Sequence, residues 1–270
     1  MNQPNALTDR NALARNRMRA DPGALFLQEV ARDELQDRVA MVNKSFQSAA
    51  VVTGYPHLWD KSSAMAVADA DLLDLSPDKH DLVIHSLGLH WSNDPVGQLI
   101  QCRRALKPDG LLLAASLGGQ SLHELRASLA EAEIAVSGGL SPRVAPMAEL
   151  RDLGALLQRA GFALPVADSV DLNVEYRDMW HLMRDLRAMG EGNALNARLR
   201  HPTRRTVFER AAEIYAATYP GRDGGVRATF EIIVLTGWAP DTSQPQPLRP
   251  GSATARLADA LGTDETSLPD

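Results

Sequence analysis

Cysteine is almost absent from this chain, since Cys102 is the only one among 270 residues. A lone cysteine excludes an internal disulfide and is typical of a reducing compartment. We interpret Cys102, which lies in a helical pattern, as an inert buried thiol. Long apolar runs and the basic-then-apolar order of a signal peptide are also missing. These absences predict a cytoplasmic protein that does not insert into membranes.

Positive charge is scarce as well, because 28 lysines and arginines stand against 34 aspartates and glutamates, for a net charge of −6. A chain of this balance has no general attraction to nucleic acid. With 44% hydrophobic and 23% charged residues, the composition is that of an ordinary globular protein with one large or two small domains.

Glycine is scarce where a nucleotide-binding loop would need it. The segment A-V-V-T-G-Y-P-H (50–57) begins as a buried strand but then offers Gly54 alone, followed by bulky residues. Close approach of backbone to a cofactor needs small residues, and the fingerprint G-x-G-x-x-G occurs nowhere in the chain. Only 14 residues (55–68) separate Gly54 from Asp69. They cannot hold two crossovers and a strand, since one crossover takes about a dozen residues.

What the sequence does contain is an alternation of strand and helix patterns. Because strands and helices alternate, we predict an α/β fold with a mostly parallel sheet. Pro165 places its strand at the edge of that sheet, and Ser121 with Glu124 match a capping box that opens a helix. The predicted strands are 49–54, 63–71, 80–87, 111–117, 162–174 and 226–238, and the other predicted helices are 24–46, 96–106, 147–160, 178–189 and 203–219.

These patterns divide the chain into three parts. We predict an N-terminal helical region (1–46) and an α/β domain (47–240) that carries a helical insertion at about 177–222, before the last strand. The proline-rich tail (241–270) is predicted to be irregular, apart from a short helix at 256–261.

The segment H-S-L-G-L-H-W-S-N-D (85–94) follows a predicted strand, where open α/β sheets place their sites. His85, His90 and Asp94 offer the two histidines and one carboxylate of a non-haem iron site. However, five positions separate the histidines, and strand geometry sends odd-spaced side chains to opposite faces. We therefore favour a packed His85, predict no metal site, and place His90 and Trp91 at the rim on the substrate side.

Two charged features leave alternatives open. Arg10, Arg15, Arg17 and Arg19 form either a patch for an acidic partner or the solvated start of a helix, and we favour the helix start. Glu231 lies inside an apolar strand, where a carboxylate needs a partner. It either pairs with an arginine of the insertion or faces solvent at an edge.

Several blocks of the sequence resemble the class I S-adenosylmethionine (SAM) methyltransferases. One block is V-A-D-A-D-L-L-D-L-S-P-D-K-H-D-L-V-I-H-S-L (67–87), and a helix ending in K-P-D-G (107–110) follows it. Other segments are similar to one branch of that superfamily, which contains the mitochondrial complex I assembly factor that hydroxylates an arginine of a complex I subunit, and its alphaproteobacterial relatives. These segments are 9–17, 140–146, 183–195, 228–240 and 247–253.

The resemblance implies a Rossmann-like class I methyltransferase sheet with SAM as cofactor. The residues that match the family's cofactor site are Gly54, Asp69, Ala70, Ser86 and Leu87. In that family a glycine-rich loop follows the first strand, and an acidic residue at the end of the second strand binds the ribose. An Asp-Ala pair ends the third strand near the adenine.

The short stretch before Asp69 leaves two ways to align this chain with the family. Either the second strand is missing with its ribose carboxylate, or Asp69 is that carboxylate and the third strand is missing. The match of V-A-D-A-D-L-L (67–73) to the third-strand block favours the first. In both cases we expect a sheet truncated in its nucleotide-binding half, and SAM binding that is weak or absent.

The family resemblance also implies a function. We expect a protein with a degenerate SAM site that acts on or binds a protein partner, a respiratory complex I subunit, during complex assembly. An active SAM-dependent methyltransferase and a protein arginine hydroxylase are the alternatives. Arg184 and Arg187 lie where the resemblance is strongest and are the candidates for partner binding, although an intrahelical charge ladder would also explain them.

Overall fold

The computed structural model describes residues 6–245 and Gly262. Residues Met1–Pro240 form one compact unit, and Asp241–Asp270 form a second. In the described part of the second unit, the backbone N–H of Ser243 donates to Asp241 Oδ1 at 2.8 Å. The helix predicted at 256–261 and the segment 247–253 lie outside the described residues.

Six strands of the described chain form one sheet in the order β2-β1-β3-β4-β6-β5. Strands β1 to β4 are parallel, and β6 is antiparallel to both of its neighbours. The α/β fold is therefore confirmed, and the strand that contains Pro165 lies at an edge. The strands are β1 (Ala49–Thr53), β2 (Met65–Ala68), β3 (His80–Ser86), β4 (Leu106–Leu117), β5 (Ala163–Tyr176) and β6 (Val226–Trp238).

Seven α-helices lie in the described residues, and two of them, α6 and α7, separate β5 from β6 as the predicted insertion. Within residues 6–245, no helix combines the length and the apolar character needed to cross a bilayer. The helices are α1 (Arg10–Met18), α2 (Phe26–Met41), α3 (Pro95–Ala105), α4 (His123–Ser137), α5 (Leu150–Arg159), α6 (Met179–Ala188) and α7 (Arg205–Thr218).

Successive side chains of the central strands enter two separate cores. On β1, Val51 packs in one core, and Ala50 and Val52 pack in the other. On β4, Leu111 and Leu112 divide in the same way. The first core also contains residues of α2, α4, α6 and α7, and the second contains residues of α3 and α5. Because helices cover both faces, the central strands contain continuous apolar runs, such as 82–84 in β3 and 111–115 in β4, where apolar and polar residues do not alternate.

The sheet is short on the side of β2, as the chain length predicts. Residues 54–64 join β1 to β2 with a 3-10 helix, Pro56–Trp59, and without an α-helix. Strand β2 has four residues and pairs directly with β1. It is therefore the edge strand on this side of the sheet, and Asp69 directly follows its last residue. The truncation of the nucleotide-binding half is therefore a feature of this fold.

The capping box predicted at Ser121 and Glu124 is wrong. Leu122, with a left-handed φ of 54°, is the residue that precedes α4, and no side chain caps this helix. Ser121 instead exchanges hydrogen bonds with the backbone of Glu231 at 3.0 and 3.1 Å. The buried Glu124 accepts from the hydroxyl of Thr229 at 2.6 Å. Both side chains fasten α4 to β6, and this tertiary use overrides the local capping rule.

The segment K-P-D-G (107–110), a turn signal at the end of the predicted helix, lies inside β4 and not before it. The register between β3 and β4 shifts between His80 and Leu82, so that His80 pairs with Leu106 and Leu82 with Leu111. Asp109 has a left-handed φ of 58° within this irregularity. The local turn signal is therefore real, but it produces a bulge in a strand that begins earlier than expected.

We expect Glu124→Ala to destabilise the protein by about 1–3 kcal/mol, because it leaves Thr229 of β6 without its buried acceptor. Glu131→Ala is the matched control, since Glu131 is exposed on the same helix. Urea denaturation of both variants measures the difference. Equal stabilities would show that the Glu124–Thr229 contact does not hold α4 to the sheet.

Candidate functional site

The residues of the implied cofactor site meet at the carboxyl ends of β1, β2 and β3. Gly54 follows β1, Asp69 and Ala70 follow β2, and Ser86 ends β3 with Leu87 directly after it. Parallel α/β sheets place their ligand sites at this edge. The fold therefore brings these five predicted residues to one place.

Helix α1 lies across this edge and delivers two arginines to Asp69. Arg17 Nη2 lies 2.8 Å from Asp69 Oδ2, and Arg10 Nη2 lies 3.4 Å from Oδ1 and also donates to the Asp69 carbonyl. The Asp69 side chain is fully buried, and that of Arg17 is 11% exposed. The interpretation of this arginine cluster as a solvated helix start is therefore wrong for Arg10 and Arg17, whereas Arg15 and Arg19 are exposed.

The position of α1 is fixed by the segment that follows α6. Asp9 caps α1 through a hydrogen bond from Ala12 N, and its backbone N–H donates to Ala194 O at 2.8 Å. Arg198 Nη2 lies 2.9 Å from Asp9 Oδ2. The hydrogen bond from Ala12, together with Arg198 and Arg200, lowers the pKa of Asp9 to about 2. The aspartate therefore remains charged and holds the helix in place at neutral pH.

Arg17 fills the place where a cofactor would approach the loop. A Cβ at Gly54 would lie 2.6 Å from Arg17 Cζ, so the space left by this glycine is taken by the guanidinium. The guanidinium also lies 6.0 Å from the centre of the Tyr55 ring. A depression of about 410 Å³ adjoins Gly54 and Asp69, with Arg17 and Met18 among its lining residues. In this arrangement the residues do not fit SAM, because the glycine surface is covered and the carboxylate is paired.

A buried amide connects Asp69 to His85. Gln98 on α3 donates to the Ala70 carbonyl at 2.7 Å and lies 3.4 Å from Asp69 Oδ1. Its amide oxygen lies 3.1 Å from His85 Nε2, which is therefore the donor. Burial lowers the pKa of His85, so its ring is neutral. The predicted packed state of His85 is confirmed, and Ala70 contributes a carbonyl.

A second buried carboxylate, Glu191, lies beyond α6 and holds the two residues predicted at the substrate side. Trp91 Nε1 donates to Glu191 Oε2 at 2.7 Å, and His90 Nε2 lies 3.4 Å from the same oxygen. The side chain of His90 is 1% exposed, so His90 lies beneath the surface and not at a rim. Tyr55 joins this region to β1 by donating to the Met189 carbonyl at 2.8 Å.

Arg17 is the cation that these two carboxylates share. Burial acts to raise the pKa of Asp69, but the charges of Arg17 and Arg10 hold that pKa below its ordinary value. Burial acts likewise on Glu191, and the hydrogen bond from His90 with the charge of Arg17 holds its pKa low. Both carboxylates are therefore ionised, and they need the positive charge that α1 supplies.

A cavity of about 710 Å³ adjoins this network on the side of the helical insertion. Trp91 and Glu191 form part of its wall, and the partner-binding candidates Arg184 and Arg187 line it from α6. Both arginines are exposed. The cavity thus brings Trp91 together with Arg184 and Arg187, while His90, Gly54 and Asp69 lie outside its lining.

The remaining candidates have structural roles. Asp94 caps α3 by accepting from Gly97 N at 2.8 Å, and residues 6–245 contain no cluster of three histidine, cysteine or acidic side chains suited to a metal. Burial raises the pKa of the Cys102 thiol to about 12, as expected for an inert core residue. Glu231 Oε2 accepts from Gln120 N at 3.0 Å, a partner that neither of the two earlier interpretations includes.

The sequence interpretation missed four side chains of this network: Arg10, Arg17, Gln98 and Glu191. The arginines resemble surface residues, and Gln98 has no signal of its own on an amphipathic helix. Glu191 had a usable signal, since an acidic residue between two glycines within a block of family resemblance is unusual for a plain helix end.

Comparison with known proteins agrees with the resemblance seen in the sequence. Residues 24–114 match the methyltransferase domain family. The chain is 41% identical to arginine-hydroxylase NDUFAF5, mitochondrial, of Danio rerio over 201 residues, which are 74% of this chain and 62% of that protein. It is 40% identical to the Homo sapiens protein of the same name over 203 residues, 75% of this chain and 58% of that one.

Two more distant matches are bacterial proteins. A malonyl-[acyl-carrier protein] O-methyltransferase of Laribacter hongkongensis is 34% identical over 183 residues, 68% of this chain and 59% of that protein. The solved structure of YcgJ from Bacillus subtilis superposes with a TM-score of 0.48 at 10% identity, over 77% of this chain and 97% of that one.

The described fold is an α/β sheet flanked by helices, and residues 24–114 within it match the methyltransferase domain family. The resemblance seen in the sequence is confirmed, and about three quarters of this chain are similar to the mitochondrial arginine hydroxylases. The chain spans about three fifths of the length of these curated relatives.

Arg17→Met tests the buried pair between α1 and Asp69. We expect a loss of about 3 kcal/mol in the free energy of unfolding at pH 7, because a buried carboxylate loses its nearest cation. The control is Arg15→Met, which changes an exposed arginine of the same helix.

The loss should also depend on pH. The folded state lowers the pKa of Asp69 from 3.8, so the stabilisation is fully present above that value and disappears as the pH falls through the folded-state pKa. Urea denaturation across this range should show the difference between wild type and Arg17→Met narrowing in acid. A difference independent of pH would contradict the ion pair as its cause.

Proposed function

We propose that this protein acts on or binds a protein partner, a subunit of respiratory complex I, during complex assembly, and that it does so with a degenerate SAM site. The position of Arg17 is the observation that carries this proposal. The guanidinium covers Gly54 and neutralises Asp69, which are the two elements that a methyltransferase of this type would offer to SAM.

The relatives support the protein-directed part of the proposal. Their name, arginine-hydroxylase, describes an activity directed at an arginine. The similarity to them covers about three quarters of this chain. Protein arginine hydroxylation is therefore the second candidate function, and active SAM-dependent methyl transfer is the third. The relatives are named as mitochondrial. The cytoplasmic location that the single cysteine of this chain indicates stays a prediction.

The partner is proposed to dock on α6 at Arg184 and Arg187. Both side chains are exposed at the cavity that Trp91 lines, so one surface joins the docking residues to the buried network. In the described part of the chain, neither arginine has an ion pair within 4.0 Å. The intrahelical ladder that would explain them is thus absent there, and an acidic group of a partner is a suitable counterpart.

Isothermal titration of the protein with SAM and with S-adenosylhomocysteine tests the degenerate site. We expect no saturable heat at concentrations well above the micromolar range, because Arg17 holds the position that the cofactor needs. Circular dichroism confirms that the protein is folded. Micromolar affinity for either compound would overturn the proposal and favour an active methyltransferase.

The docking surface is tested in cells that lack the gene and depend on complex I. Complementation with Arg184→Glu/Arg187→Glu should fail to restore complex I, because two docking cations become anions. The control Arg205→Glu/Arg210→Glu changes two exposed arginines of the other insertion helix. Complex I content on native gels is the readout, and full assembly with the α6 variant would disprove this surface.

A further inference from the structure

The 710 Å³ cavity has a wall built from the hydrophobic core. Side chains from α2, α4, the ends of β4 and β6, and α6 meet there, and they offer no hydrogen-bond donor or acceptor. Six of them are buried: Leu27, Leu117, Leu125, Leu129, Leu186 and Phe230. The volume lies within the range of about 300–1,000 Å³ that is usual for small-molecule sites.

Unpaired positive charge lies along the same cavity. Arg19, Arg184 and Arg187 line it with exposed side chains, and within residues 6–245 none of them has an ion pair. The fourth lining arginine, Arg143, is paired with Glu133 at 2.7 Å. Three cations are therefore available to a ligand.

The lining has fewer acidic groups than arginines. Asp21 is exposed and accepts from Gly23 N at 2.9 Å. Glu191 is 5% exposed and accepts from Trp91. With four arginines against these two carboxylates, the net charge of the lining is positive, and its apolar wall lies next to that charge.

We propose that this cavity binds a long-chain fatty carboxylate, with the alkyl chain against the leucine wall and the carboxylate at Arg184 and Arg187. An alkyl chain needs no hydrogen bonds, so it suits a wall without polar groups. A peptide backbone in the same place would leave its N–H and C=O groups unsatisfied. Two guanidinium groups on successive turns of α6 provide charge-assisted hydrogen bonds to one carboxylate.

This inference goes beyond the proposed function: it needs no partner protein and no SAM, and it gives a second role to the two arginines at which docking is proposed. It is tested on the isolated full-length chain. The probe is 11-(dansylamino)undecanoic acid, whose fluorescence rises on transfer to an apolar site. We expect saturable binding of the probe and its displacement by palmitate. The uncharged hexadecanol should displace little of the probe. Each compound is used below the concentration at which it aggregates.

Two pairs of variants locate the ligand. Arg184→Ala/Arg187→Ala should weaken binding about tenfold, since charge-assisted hydrogen bonds are lost, while Arg205→Ala/Arg210→Ala should leave it unchanged. Met183→Trp, which enlarges a half-buried cavity residue, should block the chain, while Met18→Trp changes an exposed methionine outside the cavity. Circular dichroism establishes that each variant is folded.

Three results would overturn the proposal. They are absence of saturable probe binding, unchanged affinity in the folded α6 double variant, and displacement by an acidic, leucine-rich peptide but not by palmitate. The last result would assign the cavity to a protein segment. Because the assay contains no complex I subunit, its failure would leave the proposed function standing, and failed complementation alone would leave the ligand standing.

Discussion

The structure depends on one nearly buried cation, Arg17, which contacts Asp69 and acts electrostatically on Glu191. Asp69 follows the truncated edge strand and Glu191 follows the first insertion helix, so the two carboxylates are far apart in the sequence. Leaving either carboxylate uncompensated away from water is costly, and the charge of Arg17 acts on both. The N-terminal helix thereby becomes part of the α/β unit and determines what the nucleotide edge of the sheet accepts.

The position of Arg17 explains why the loop after β1 has a glycine at residue 54. Gly54 provides the same open backbone surface that a cofactor loop provides, and Tyr55 follows it with a ring and a hydroxyl that reaches Met189. The chain's own guanidinium uses that surface. The α/β sheet alone therefore does not determine the function of this edge, since function depends on the residues of a site and not on the fold.

Local patterns were sufficient for the sheet but not for the site. The strands of the core follow from continuous apolar runs, and Pro165 correctly identified an edge strand. Arg17 was misjudged because its burial depends on where α1 docks, which Ala194 and Arg198 decide. Ser121 failed as a cap for the same reason, since contacts with a distant strand outweighed a rule that considers only neighbours in sequence.

The attachment of Asp9 to Arg198 has a consequence for synthesis on the ribosome. Strands β1 and β2 and the arginines of α1 emerge long before residue 198, so the pairing of Arg10 and Arg17 with Asp69 needs nothing from the later chain. The contacts of Asp9 with Ala194 and Arg198 form only after the segment beyond α6 has left the exit tunnel. The second attachment of α1 is therefore one of the last events in the maturation of this fold.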